Sequence, residues 1–160
     1  MIEKVAFYLQ RNDEEPNILL AEDLAGRNDA AGIAEIAKGL DADEPQVAGD
    51  CVKVLYEIGY RKPELIAPYA ATFVAGLKSR NNRIVWGSAI ALSLIAESAS
   101  DYLFSELETI RRAYESGSGI QDRSAGTMRY LGGVPAEKSR EAAYKHERNR
   151  VVRDTRLCEE

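Results

Sequence analysis

The sequence predicts an all-α fold, an α-α superhelix (solenoid) of about three stacked helix pairs with further helices at both ends. Three observations predict it. Apolar residues between 17 and 132 recur at helical spacing, and no stretch shows the strict alternation of a half-buried strand. Turn-forming clusters punctuate that pattern at 41–45 (DADEP), 59–63 (GYRKP), 79–82 (SRNN), 98–101 (SASD) and 116–119 (SGSG). They leave helices of roughly 10 to 17 residues joined by short connections, which makes successive helices antiparallel neighbours. The third observation is an internal repeat. Val47, Val52, Leu55, Ile58 and Gly59 align with Ile84, Ala89, Leu92, Ile95 and Ala96, and these with Ile120, Ala125, Met128, Leu131 and Gly132, at shifts of about 37 and 36 residues.

The elements follow in order. Residues 1–28 hold two weaker helical stretches, 2–10 and 17–26, separated by RNDEEP, and read as a degenerate N-terminal cap. Residues 29–132 hold three repeats. Their A helices lie near 29–40, 63–78 and 101–115, and their B helices near 46–59, 83–96 and 120–132. Among the A helices, Ile66, Ala70, Phe73 and Leu77 match Leu103, Leu107, Ile110 and Tyr114, and Ile33, Ile36 and Leu40 match Ala70, Phe73 and Leu77. One pair has apolar residues on more than one face and cannot bury them alone, whereas stacked pairs share a continuous core. Small residues recur at one B-helix position, Cys51, Ser88 and Ser124, where helices approach closely, so Cys51 reads as a packing residue. The single domain therefore spans 1–134. Residues 135–160 form a charged C-terminal helix or tail, opened by Pro135, with Glu141 and Lys145 spaced for an i,i+4 pair and a thin apolar stripe of Ala143, Tyr144, Val151 and Val152.

Over residues 29–132 the pattern resembles the HEAT/armadillo-like helical repeat family. Val47, Cys51, Val52, Leu55, Ile58 and Gly59 match the family's B-helix signature, Asp43 resembles its inter-helix Asp, and Pro68 resembles the Pro that kinks its A helices. The Arg that commonly follows the Val is Ala48, Val85 and Gln121 here, so no Asp-Arg ladder is implied. The resemblance implies a scaffold and says almost nothing of chemistry, because function resides in sites and not in folds.

Composition narrows the function classes. At 160 residues, with 45% apolar and 29% charged residues, the chain can build one packed core and is not of disordered composition. The formal net charge is -5. Residues 1–134 carry about 14 Lys and Arg against about 20 Asp and Glu, so the body lacks the basic stripe that displaces counterions from phosphate, and nucleic acid is disfavoured as a partner. No apolar run reaches membrane-spanning length, and the first residues lack the pattern of a signal peptide, which points to a cytoplasmic protein with no membrane association. Cys51 and Cys158 stand far apart without CxxC spacing, so neither a disulfide framework nor a structural zinc site is expected.

A search for catalytic groupings finds none. The single histidine, His146, lies in the charged tail, and acidic pairs such as Asp43 with Glu44 or Glu106 with Glu108 fall at polar helix or loop positions. The Gly-Ser-Gly at 117–119 follows a helix and lacks the Gly-Lys-Ser/Thr ending of a phosphate loop. Neither catalytic residues nor a cofactor is expected. One feature stands out. The second B helix carries its core stripe on Ile84, Ala91, Leu92 and Ile95, yet Trp86, Ile90 and Leu94 form a second apolar stripe on the opposite side. The matching positions are Gly49, Lys53 and Glu57 in the first B helix and Asp122, Gly126 and Tyr130 in the third, so this side is expected to face solvent along the concave B-helix surface. Trp86, Ile90, Leu94 and Tyr130, rimmed by Lys53, Glu57 and Arg129, make a candidate docking site for a protein partner or a second copy in a homodimer. The competing reading is that the C-terminal helix folds back over the stripe through Tyr144 and Val151. Two other functions are weighed against the scaffold. One is a nucleic-acid or ribonucleoprotein accessory using Lys145, Arg148, Arg150, Arg153 and Arg156; the other is a HEAT-like DNA glycosylase built on Trp86, Asp50 and Arg123.

Overall fold

The computed structural model describes residues 1–115. They form α1 (Glu15–Arg27), α2 (Ala30–Lys38), α3 (Pro45–Arg61), α4 (Ala70–Gly76), α5 (Asn82–Leu94), α6 (Ser100–Ser105) and α7 (Leu107–Glu115), with no strand among the described residues. Short 3-10 turns fill Ile2–Lys4, Gly39–Asp41, Pro63–Leu65 and Ala67–Tyr69. The expected helices at 120–132 and 135–160 lie outside the described residues.

Helix ends follow local chemistry. Asn28 takes the left-handed conformation that ends α1 (φ 50°), which asparagine tolerates better than most side chains. One residue later, the Asp29 carboxylate accepts the Gly32 N–H at 2.9 Å and starts α2. Pro45 opens α3 where its missing N–H costs nothing, and Asn81 caps α5 by accepting the Arg83 N–H at 3.0 Å.

Three expected helices differ. Residues 2–10 are not a helix: after the first turn Val5 is extended, at ψ 159°, and Gln10 has a φ of 54°. Side chains take the backbone donors instead, since Ala6 N–H donates to Asn17 Oδ1 and Phe7 N–H to Asp50 Oδ2, each at 2.9 Å. The A helix expected over 63–78 keeps only α4, because Pro63 and Pro68 lack the N–H an α-helix needs and the chain closes i to i+3 turns instead. The helix expected over 101–115 divides between α6 and α7, where the Ser105 hydroxyl donates to the Tyr102 carbonyl at 2.7 Å and competes with the backbone for it.

Packing centres on α3, which is flanked by α1 and α5. All three run in the same direction. Early residues meet early ones, as Asn81 Nδ2–H donates to Pro45 O at 2.9 Å and Arg83 meets Asp50. Late residues meet late ones, as Lys62 Nζ donates to Ala25 O at 2.8 Å and a Cβ placed on Gly59 would stand 3.0 Å from Leu94. α2 and α4 pack against α3 and α5 respectively. Of the described repeat residues, Val47, Val52, Leu55, Ile58, Leu92 and Ile95 meet in one core with Ala89 packed against it, and Ile84 is buried as well. Each such aliphatic side chain contributes about 1.5–3 kcal/mol by leaving water. No helix among the described residues is long and apolar enough to cross a membrane.

Candidate functional site

The parallel arrangement of α3 and α5 opens a groove between their facing surfaces. Gly87 sets its depth: a Cβ there would stand 2.6 Å from Val52, so only glycine lets the two helices approach this closely. The resulting cavity has a volume of about 380 Å³ and is lined by Trp86, Ile90 and Val52 on its apolar side and by Lys53, Glu14 and Arg83 on its polar side. Trp86 and Ile90 stand one helical turn apart on α5 and are half-buried.

The polar side is fixed by a chain of ion pairs along the seam between α1 and α3. Glu14 meets Lys53 at 3.0 Å, Lys53 meets Glu57 at 3.0 Å, Glu57 meets Arg61 at 2.9 Å, and Arg61 meets Glu22 at 2.6 Å. The Lys53 ammonium also lies 4.7 Å from the centre of the Tyr56 ring. Burial alone would lower the Lys53 pKa; Tyr56, Glu57 and Glu14 together outweigh it, and the net shift is upward. Lys53 is therefore a charged part of the wall, paired with two carboxylates. At the other end of the groove, Arg83 Nη2–H donates to Asp50 Oδ1 at 3.2 Å, and Asp50 is buried with its second oxygen held by the Phe7 N–H.

These positions correct one expectation. Lys53 and Glu57, expected at the rim, and Leu94, expected in the stripe with Trp86 and Ile90, do not face solvent: the three are only 2%, 7% and 5% exposed. Charge at a B-helix position suggests exposure, but here α1 lies over that face of α3, and its N-cap Glu14 and its own Glu22 supply the counter-charges. Leu94 is covered because Gly59 leaves room for it. Of the expected site residues, the groove brings together Trp86, Ile90 and Lys53, while Tyr130 and Arg129 lie outside the described residues. Asp50, named above in the glycosylase reading, is engaged by Phe7 and Arg83, and Arg123 lies outside the described residues.

Gly49, the expected counterpart of Trp86, lines the groove too, as do Glu14, Asn82 and Arg83, which carry no site signal in the sequence. The i,i+4 spacing of Lys53 and Glu57 among the apolar residues 51–58 is a signal that a paired charge sits there. Glu14 gave none, because its segment read as a polar link. Among the described residues no group of three or more His, Cys, Asp or Glu is placed to hold a metal ion. No family model, curated protein or solved structure matches the chain.

Proposed function

We propose that this chain is a non-catalytic, HEAT-like scaffold whose groove between α3 and α5 docks a protein partner on Trp86 and Ile90. The observation that carries the reading is the pairing of two half-buried apolar side chains with a polar wall already locked by ion pairs. A partner placing an apolar side chain against Trp86 removes that surface from water, and the wall loses no freedom because it is ordered beforehand. Two further observations support the solenoid form of the scaffold. α1, α3 and α5 lie side by side in parallel, and among the described residues aligned by the internal repeat Val47, Val52, Leu55, Ile58, Leu92 and Ile95 share one core. A cytoplasmic site of action belongs to the same proposal.

The test is capture of partners from native cells by the tagged chain and by Trp86→Lys, with urea midpoints measured for both. Trp86→Lys is expected to lose a partner that survives nuclease treatment and raised salt, while the unfolding free energy falls by no more than about 1 kcal/mol. Capture that persists in the variant, or that disappears with nuclease or salt, would reject the groove and favour the basic tail and nucleic acid.

A further inference from the structure

The two cations that line the groove are held differently. Lys53 is buried and has carboxylates on two sides, Glu14 and Glu57, each at 3.0 Å. Arg83 keeps 49% of its side chain exposed, and among the described residues its guanidinium meets one acceptor, Asp50 Oδ1 at 3.2 Å from Nη2. A guanidinium carries five N–H groups in one plane, so this bond leaves most of them to an incoming acceptor.

The fold fixes where that plane lies. A Cβ placed on Gly49 of α3 would stand 3.1 Å from Cζ, Nε and Nη1 of Arg83 alike. Equal distances to three atoms put the guanidinium face-on over the bare glycine, in space that any other side chain would fill. Asp50, the next residue, is buried and is itself fixed by the Phe7 N–H at 2.9 Å. Gly49 thus supports the face of the guanidinium while Asp50 holds one corner, and an arginine preset in this way loses little freedom on meeting a planar acceptor. Its place along α5 is equally regular. Arg83, Trp86 and Ile90 stand at i, i+3 and i+7, a single helical stripe about 10 Å long.

We infer that the groove takes a protein segment bearing one carboxylate with apolar side chains within about 10 Å of it, the carboxylate on Arg83 and the apolar side chains on Trp86 and Ile90. The inference rests on the docking reading above and adds the chemistry of the partner. Charge complementarity argues for a carboxylate over a nucleic acid. One preset guanidinium suits one anion, whereas a phosphate backbone repeats its charge every few ångströms and would meet the carboxylate of Glu14 in the same groove.

The test is a selection of displayed random peptides of about twelve residues on the full chain, long enough to follow the stripe as a helix or an extended strand. Peptides bound by the parent are expected to be enriched in Asp or Glu beside apolar residues, and Arg83→Glu is expected to turn that enrichment to Lys or Arg. For a synthetic copy of the commonest peptide, Arg83→Gln and replacement of the peptide's acid by its amide are each expected to weaken binding about tenfold, and the two together little more than either alone. Peptides that are lost with Trp86→Lys but show no acidic preference would overturn the carboxylate and leave the groove standing. No selection, or peptides indifferent to Trp86→Lys, would reject the groove and this inference with it. A short thymidine oligonucleotide that binds the parent and is released by Arg83→Gln would overturn it in favour of nucleic acid, and a parent that self-associates in sedimentation and comes apart with Arg83→Gln would do so in favour of a second copy.

Discussion

Replacing Lys53 with Met removes the central cation of the seam while keeping most of its apolar stem. Glu57 is then left 10% exposed at its side chain, with Oε2 still held by Arg61 at 2.9 Å and Oε1 deprived of its partner at 3.0 Å. Stripping one member from a fully buried pair costs about 3–5 kcal/mol, and retention of Arg61 together with the 40% exposure of Glu14 reduces this to about 2–3 kcal/mol. Adding Glu57→Met removes the stranded charge, and the double variant is expected to recover to within about 1 kcal/mol of the parent, because an apolar pair fills a buried ionic site nearly as well. Urea unfolding followed by circular dichroism on the parent, both single variants and the double gives the coupling as a double-mutant cycle. A loss below about 0.5 kcal/mol for Lys53→Met, or a double variant that shows the plain sum of the two single losses, would refute the claim that Lys53 is a buried, paired charge.

The remaining predictions concern packing and pH. The Ser88 hydroxyl is buried without a hydrogen-bond partner among the described residues, so Ser88→Ala is expected to be neutral or to stabilise by up to about 1 kcal/mol in urea unfolding. Gly76→Ala places a methyl group against Ser88 and is expected to cost about 1–3 kcal/mol; combined with Ser88→Ala it is expected to recover part of that loss. Burial pushes the Cys51 thiol up to about 12, with Asp50 and Glu35 adding to the shift. Its folded pKa lies above the unfolded value of about 8.5, so the unfolded chain gives up the proton first. The contribution to stability is constant below that value and declines as pH rises toward 12. In the Cys158→Ser chain, a thiol reagent at pH 8 is accordingly expected to label Cys51 only in urea; rapid labelling of the folded protein would contradict the buried placement.

How legible the structure was depended on whether a residue's partners lie near it in sequence or repeat with it. The B helices could be read because Val47, Val52, Leu55 and Ile58 and their counterparts recur at one spacing, and the structure buries all the described members but Ala89, which is partly covered. The small residues Cys51 and Ser88 marked a close approach, and the glycines opposite them, Gly39 and Gly76, complete it. The A helices were less regular than their periodicity suggested because Pro63 and Pro68 interrupt the backbone ladder, a local penalty that a count of apolar positions ignores. Half of the groove was foreseen in Trp86 and Ile90. The burial of Lys53 and Glu57 was not, because it depends on Glu14 and Glu22 arriving from a segment that shares no periodicity with the repeats.

Trp86 is the sole tryptophan of the chain, so its emission reports directly on the groove. With the partner recovered by capture added to purified protein, the account predicts a shift of that emission to shorter wavelength, lower access to acrylamide, and no such change in an Ile90→Asp variant. A partner that binds with unchanged emission and unchanged quenching would place the docking surface elsewhere.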